Sequence, residues 1–220
     1  MSLTEIRPLP ISGQVRDMLR DRITAGDLAP GEKLTETDLA ARLKISRGPL
    51  REAILQLTED GLLVKAPYKG LRVRSVSQQE LAELYSLRTT LERFAFEEAW
   101  EKRTDSDLVE LRRLYDDLDS ARNNQDISRA VTGEIAFHSW VYNLSGHGLL
   151  QSHWKKLIPL VQIYMSIHDR QHGISGVFME ANHTYLNLAQ GNDLGAMLRH
   201  ISDHMQKGMD AVHATLEPAT

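Results

Sequence analysis

The sequence predicts a mainly α-helical chain in two parts: a winged helix-turn-helix over residues 1–75, then an all-α antiparallel bundle over residues 76–220. Three observations carry this expectation. The stretch Leu39–Leu63 reads as two short helices joined by a tight turn. Beyond it, Leu71 and Val73 alternate with Arg72 and Arg74 after a turn containing Gly70, which is the period of a small hairpin. From Ser77 onward, apolar residues recur three and four apart almost to the end, interrupted only by short polar or glycine-containing segments.

In chain order, residues 1–11 hold two prolines and no period and read as an arm. Val15, Leu19 and Ile23 place a helix over Ser12–Ala25, ended by Gly26 and followed by a turn at Ala29-Pro30-Gly31. The first motif helix spans Glu36–Leu43, with Thr35 and Asp38 in capping-box spacing. The second spans Arg47–Glu59. There Ser46 is expected to cap with its hydroxyl, and Pro49 is tolerated because it lies in the first turn. Arg47 and Arg51, four apart, share one face near its N-terminus, while Leu50, Ile54 and Leu57 point to a core.

In the second part, Ser77 and Glu80 form an expected capping box, and Leu81, Leu84, Leu87, Leu91 and Phe94 carry a stripe to about Arg103. Thr104 and Asp107 repeat the start signal. Leu111, Leu114 and Leu118 continue that helix to a break at Asn123–Asp126. Further helices are predicted over Ile127–Leu144, Gly148–Arg170 (kinked at Pro159), Gly176–Gln190 and Asp193–Leu216. Helices with such short connections make an antiparallel bundle.

Composition bounds the function classes. The 220-residue chain has no cysteine, which excludes disulfides and thiolate metal sites and fits a reducing compartment. The N-terminus lacks a basic-then-apolar leader pattern, and the longest apolar stretch, Leu157–Ile167, is too short to span a bilayer. A cytoplasmic protein without membrane contact is expected. Residues 1–75 carry 13 Lys+Arg against 10 Asp+Glu, residues 76–220 carry 13 against 20, and all nine histidines follow residue 137. A mildly basic half and an acidic, histidine-rich half suggest two tasks.

A helix entered by two arginines and backed by leucines suits a DNA major groove, where arginine donates two hydrogen bonds to guanine. Taken alone, those residues fit a surface helix with stray arginines equally well; the hairpin behind them favours DNA. The segment "AGDLAPGEKLTETDLAARLKISRGPLREAILQLTEDGLL…YKGLRV" resembles the DNA-binding domain of the GntR superfamily of bacterial transcription regulators. The resemblance covers about residues 12–75 and implies a dimer on a palindromic double-stranded operator. It assigns DNA contacts to Arg47, Gly48, Arg51, Lys69 and Gly70. Thr37 stands where some members carry an arginine early in the first motif helix, so that contact does not carry over.

The second half is similar to the FCD sensor domain of the FadR-type subfamily. Leu87-Arg88-x-x-Leu91-Glu92, Glu134-x-x-x-His138 and Asp193 with His204 carry the likeness. Many such domains bind a divalent metal through an Asp and three His. The resemblance places that set on Glu134, His138, Asn182 and His204, with zinc the expected ion and nickel or manganese also suited. Asn182 departs from the pattern. His183 is the alternative, but Tyr185, Leu186 and Ala189 put Asn182 on the apolar face. A lone core histidine is usually just hydrogen-bonded, which is the competing reading of each ring, and His200 lies one turn before His204. Arg88 either pairs with Glu92 along the helix or faces the cavity to hold an anion. The pair His168 and His172 reads as helix capping, and Trp140, Tyr142 and Trp154 read as core.

The function expected is a homodimeric, ligand-responsive transcription regulator. Its effector is a small organic acid held by Arg88, Glu134, His138, Asn182 and His204, and the protein is not an enzyme. The alternative is a metal-dependent helical-bundle hydrolase fused to a DNA-binding domain. Against it, the chain carries no P-loop, no HExxH and no nucleophile elbow. A third reading is an architectural DNA binder whose second half only dimerises.

Overall fold

The structure is a computed structural model and describes residues 10–66, 70–75, 77–173 and 176–216. The chain divides into two compact units, Met1–Ser75 and Val76–Thr220. The first holds helices α1 (Ile11–Thr24), α2 (Glu36–Leu43) and α3 (Arg47–Glu59). Its strands are β1 (Lys33–Leu34), β2 (Leu63–Ala66) and β3 (Gly70–Val73). Val15, Leu19 and Ile23 of α1 are buried where it packs on α3, which turns in Leu50, Ala53, Ile54 and Leu57. Residues 67–69, which follow β2 in the sequence, lie outside the described residues, and Lys69 with them.

The expected hairpin forms between β2 and β3 and gains a third strand, and one local expectation needs correction. The hairpin is part of a three-stranded antiparallel sheet of order β1-β3-β2: Lys33 pairs with Arg72 and Leu34 with Leu71. A two-residue strand is too short to show alternation, so the sequence pattern missed it. Ser46 occupies the N-cap of α3 with extended backbone but makes no side-chain cap bond. Thr35, by contrast, caps α2 through Asp38 N–H at 3.2 Å.

The second unit consists, among the described residues, of helices α4 (Gln78–Ala99), α5 (Asp105–Asn123), α6 (Ile127–Ser145), α7 (Gly148–His172), α8 (Gly176–Ala189) and α9 (Leu194–Leu216). A 3-10 turn, Trp100–Lys102, follows α4. Thr104 and Asp107 form the complete capping box that opens α5. At α4 only half of the box exists. Ser77 Oγ accepts from Glu80 N–H, but the Ser77 N–H donates to Tyr164 Oη at 3.2 Å, and that hydroxyl donates back to the Ser77 carbonyl at 2.8 Å. Pro159 sits inside α7, which runs on to His172.

The core of this unit is built from leucines of α4 and α5, aromatics of α6 and α7, and Tyr185 and Leu186 of α8. Phe96, Phe137 and Tyr185 meet edge-on or tilted, with ring centres 5.0–5.4 Å apart for the contacts to Tyr185. Helices α5 and α6 are in close contact at Gly133, where a Cβ would lie 3.3 Å from Leu118 Cα, Cβ and Cδ1. A larger side chain there must push against the Leu118 backbone. Gly133→Val is therefore expected to destabilise the helical unit by about 1–3 kcal/mol, read as a lower urea midpoint by circular dichroism. An unchanged midpoint would disprove the close approach.

Candidate functional site

On the first unit, the N-terminal face of α3 leaves Arg47, Gly48 and Arg51 exposed, and Gly70 sits at the start of β3 with φ +76°. The backbone there is left-handed, which glycine adopts without strain. Arg51 is not a loose side chain. Its Nε donates to Glu36 Oε2 at 2.8 Å, and Lys65 of β2 lies 3.9 Å from the other carboxylate oxygen. The Arg51 hydrogen bond holds the Glu36 carboxyl below its usual range. Binding through Nε leaves the two terminal guanidinium nitrogens of this exposed side chain for another partner, and that pair is the fork that matches guanine O6 and N7. The sequence did not reveal Glu36, because a residue at the start of one helix and another in the next helix share no periodicity.

In the helical unit, α6 places Glu134 and His138 one turn apart, α9 brings His204 and α8 brings Asn182, all four buried. A nitrogen or carboxylate oxygen from each of Glu134, His138 and His204 lies within 4.8 Å of the others. His138 Nε2 is 3.2 Å from Glu134 Oε1 and 3.3 Å from His204 Nε2. On its other side, His138 Nδ1 donates to Glu92 Oε1 at 2.6 Å. Glu134 Oε2 accepts from Asn182 Nδ2 at 2.8 Å and from Arg122 Nη2 at 3.2 Å. The helical phase holds: Asn182 faces in, and His183 is exposed.

Charge in this cluster is set by competition. Burial opposes ionisation of Glu134, but the hydrogen bond from His138 and the charge of Arg122 outweigh it and keep the carboxyl well below its ordinary range. Burial also works against a charged His138; Glu92 and the hydrogen bonds to both carboxylates reverse this and raise its pKa. Burial and the neighbouring His138 pull His204 down to about 3, so its ring is neutral and keeps a lone pair for a ligand. His204 is stacked between His138 and His200, with centroids at 5.3 and 5.8 Å. His200 itself is tied by Nε2 to the Ala181 carbonyl at 2.9 Å.

These donors fit a divalent ion. Separations of 3.2–3.3 Å between donor atoms are those of neighbouring ligands around an ion with bonds of about 2.0–2.2 Å. Glu92 on the far ring nitrogen of His138 is the carboxylate that commonly orients a metal-binding imidazole. Asn182 Oδ1 is buried without a hydrogen-bond partner, which suits a neutral oxygen donor kept for a ligand.

Arg88 meets Glu92 and the cavity at once. Its Nε is 3.6 Å from Glu92 Oε2, and its side chain also lines a small internal cavity beside Glu134 and His204. The reading of His168 as a cap is corrected: it is buried, hydrogen-bonded to the backbone of Ala211, and part of the same cavity wall. Sequence reasoning also missed Arg122 and Asp169. Both had a visible signal, since Arg122 continues the stripe of Leu111 and Leu118, and Asp169 that of Val161 and Met165.

Residues 11–73 match the family described as bacterial regulatory proteins, gntR family, and residues 83–207 match the FCD domain. The HTH-type transcriptional regulator McbR of Escherichia coli is 28% identical over 76% of this chain and 78% of its own length. The HTH-type transcriptional repressor GlaR of the same organism is 30% identical over 75% and 77%. The crystal structure of a GntR transcriptional regulator from Rhodococcus sp. RHA1 superposes with a TM-score of 0.81 at 25% identity, covering 94% of this chain and 99% of that one. The winged helix with its exposed arginines and the helical unit with its buried histidines thus have one explanation: this chain is a DNA-binding transcription regulator of the gntR family, with an FCD domain as its second part.

Proposed function

We propose that the protein acts in the cytoplasm as a homodimer on a palindromic operator, and that a small organic acid bound in its helical unit controls its grip on DNA. Catalysis is not part of this reading. The observation that carries it is the buried cluster itself. Glu134, His138, His204 and Asn182 converge in one buried cluster, and two of them, Glu134 and His204, line a small cavity with Arg88, in a chain whose other unit exposes Arg47, Gly48 and Arg51. An effector alters DNA affinity to the extent that it binds the DNA-competent and DNA-incompetent states unequally.

The geometry supports a division of labour. Arg47 and Arg51 read bases, and Gly70, with Lys69 beyond the described residues, serves the wing contact. Glu36 fixes Arg51 through Nε and presents its fork. In the helical unit, Glu134, His138 and His204 would hold a divalent ion, with Asn182 Oδ1 as the fourth donor. The bound ion would supply a positive charge that attracts an effector oxygen. Glu92 fixes the His138 ring, Arg122 keeps Glu134 ionised, and Arg88 offers a second positive group to an effector carboxylate.

Arg47→Ala and Arg51→Ala should each weaken specific operator binding roughly 10- to 100-fold while leaving non-specific binding nearly unchanged. Glu36→Ala tests the fork from the opposite side. Losing a negative charge near phosphates would by itself strengthen binding, so a weakened and less guanine-selective complex identifies Glu36 as the group that positions Arg51. A strengthened one rejects that role.

A palindromic operator needs two readers related by a two-fold axis. Sedimentation should therefore give a dimer at micromolar concentration, free and on operator DNA. A monomer in both conditions would contradict the proposal.

Zinc titrated into chelator-treated protein should bind more weakly than to Asn182→His, because an amide oxygen is a poorer zinc donor than imidazole. His138→Ala should abolish the heat of binding. Identical calorimetric curves for wild type and Asn182→His would remove Asn182 from the site.

A further inference from the structure

The internal cavity has a second polar wall that neither the metal donors nor Arg88 explain. Asp169 of α7 faces it, 2% exposed, and its Oδ2 is buried without a hydrogen-bond partner. On the same cavity, Arg88 of α4 has Nε and Nη2 buried without hydrogen-bond partners; its ion pair to Glu92 is longer than a hydrogen bond. Native proteins pair nearly all such groups, so an unpaired acceptor and an unpaired double donor on one cavity require a common explanation. The remaining wall is apolar, formed by Met165, Met205 and Val212.

These features describe a ligand with three parts. Arg88 calls for a carboxylate, which can take both of its unpaired N–H groups. Asp169 calls for a donor. A hydroxyl would satisfy one oxygen but add no positive charge beside a buried carboxylate whose cationic neighbour, Arg122, is already paired with Glu134. Burial chiefly, opposed by the charge of Arg122 and reinforced by Glu134, pushes the Asp169 carboxyl up to about 6. An ammonium supplies both hydrogen bonds and charge. The methionines and valine accept a modest apolar side chain. We infer that the cavity is a site for a small zwitterionic amino acid, its carboxylate on Arg88 and its ammonium on Asp169. This rests on the proposed reading of the helical unit as the effector-sensing part.

The site is contracted in this conformation. Its free space is about 20 Å³, room for one water molecule and not for an amino acid. Met165 and Met205 are unbranched and repack readily, and Gly208 of α9 puts no side chain in the way. Ligand entry therefore widens the space between α7 and α9, and this shape change is what would distinguish bound from unbound protein.

The test uses the full chain. Melting temperature and operator affinity are measured with L-alanine, L-valine, L-leucine and L-methionine, each beside its 2-hydroxy acid and its unsubstituted acid. The expected result is that one amino acid raises the melting temperature, changes operator affinity, and binds about 10- to 100-fold more tightly than both of its counterparts. The near-isosteric Asp169→Asn should erase that preference while the hydroxy acid binds as before. Equal or tighter binding of the hydroxy or unsubstituted acid overturns the amino-acid inference and leaves effector sensing standing. So does a preference that survives Asp169→Asn. A complete lack of response in all three series overturns both. The comparison among ligands on wild-type protein decides the matter even if Asp169→Asn fails to fold.

Discussion

The imidazole of His138, clamped between Glu92 and Glu134, is the contact on which the helical unit depends. It joins α4 to α6, and through Nε2 it reaches α9 as well. Each carboxylate is in turn neutralised from outside the clamp, Glu92 by Arg88 and Glu134 by Arg122 of α5. Five helices thus meet in one buried polar cluster once Asn182 of α8 is counted. Such a cluster cannot be trimmed one member at a time. Removing one partner strands a buried charge, at a cost of about 3–5 kcal/mol, although replacing the whole set with apolar residues is often neutral or better.

That asymmetry bears on function. A bundle built for stability alone would gain nothing from ionised groups at its centre, since leucines of similar volume do the same work without desolvation. The cluster makes sense as a receptor that keeps its donors fixed before the ligand arrives. Preorganisation of this kind lowers the ordering cost of binding. The neutral state of His204, enforced by burial and by the charge of His138, belongs to the same arrangement.

Legibility in the sequence followed a simple physical line. Elements whose ends are set by local chemistry could be read, because the information sits within four residues. The limits of α2 and α3 coincide with those expected from Thr35, Pro49 and Asp60-Gly61. The burial of Asn182 over His183 was readable from helical phase. What failed depended on residues distant in the chain. Ser77 lost half of its capping box because Tyr164, 87 positions away, claimed its N–H. Glu92 was seen as the partner of Arg88 four residues earlier, but not as that of His138, 46 positions later. His168 reads as a helix cap because nothing local reveals that α9 covers it. Buried polar residues are where local and global rules disagree, and in this chain they mark the candidate site.

The grip of Tyr164 on Ser77 has a mechanical consequence. One hydroxyl holds both the N–H and the carbonyl of a single residue, so Ser77 cannot be displaced from Tyr164 without breaking two bonds at once. Tyr164 belongs to α7, next to Met165 and one turn before His168, the very side chains that line the cavity. Any sliding or rotation of α7 that makes room for a ligand must pull on Ser77, the residue from which α4 starts. The helical unit is thus fitted with a tie-rod from its interior to its first turn, made from one phenol.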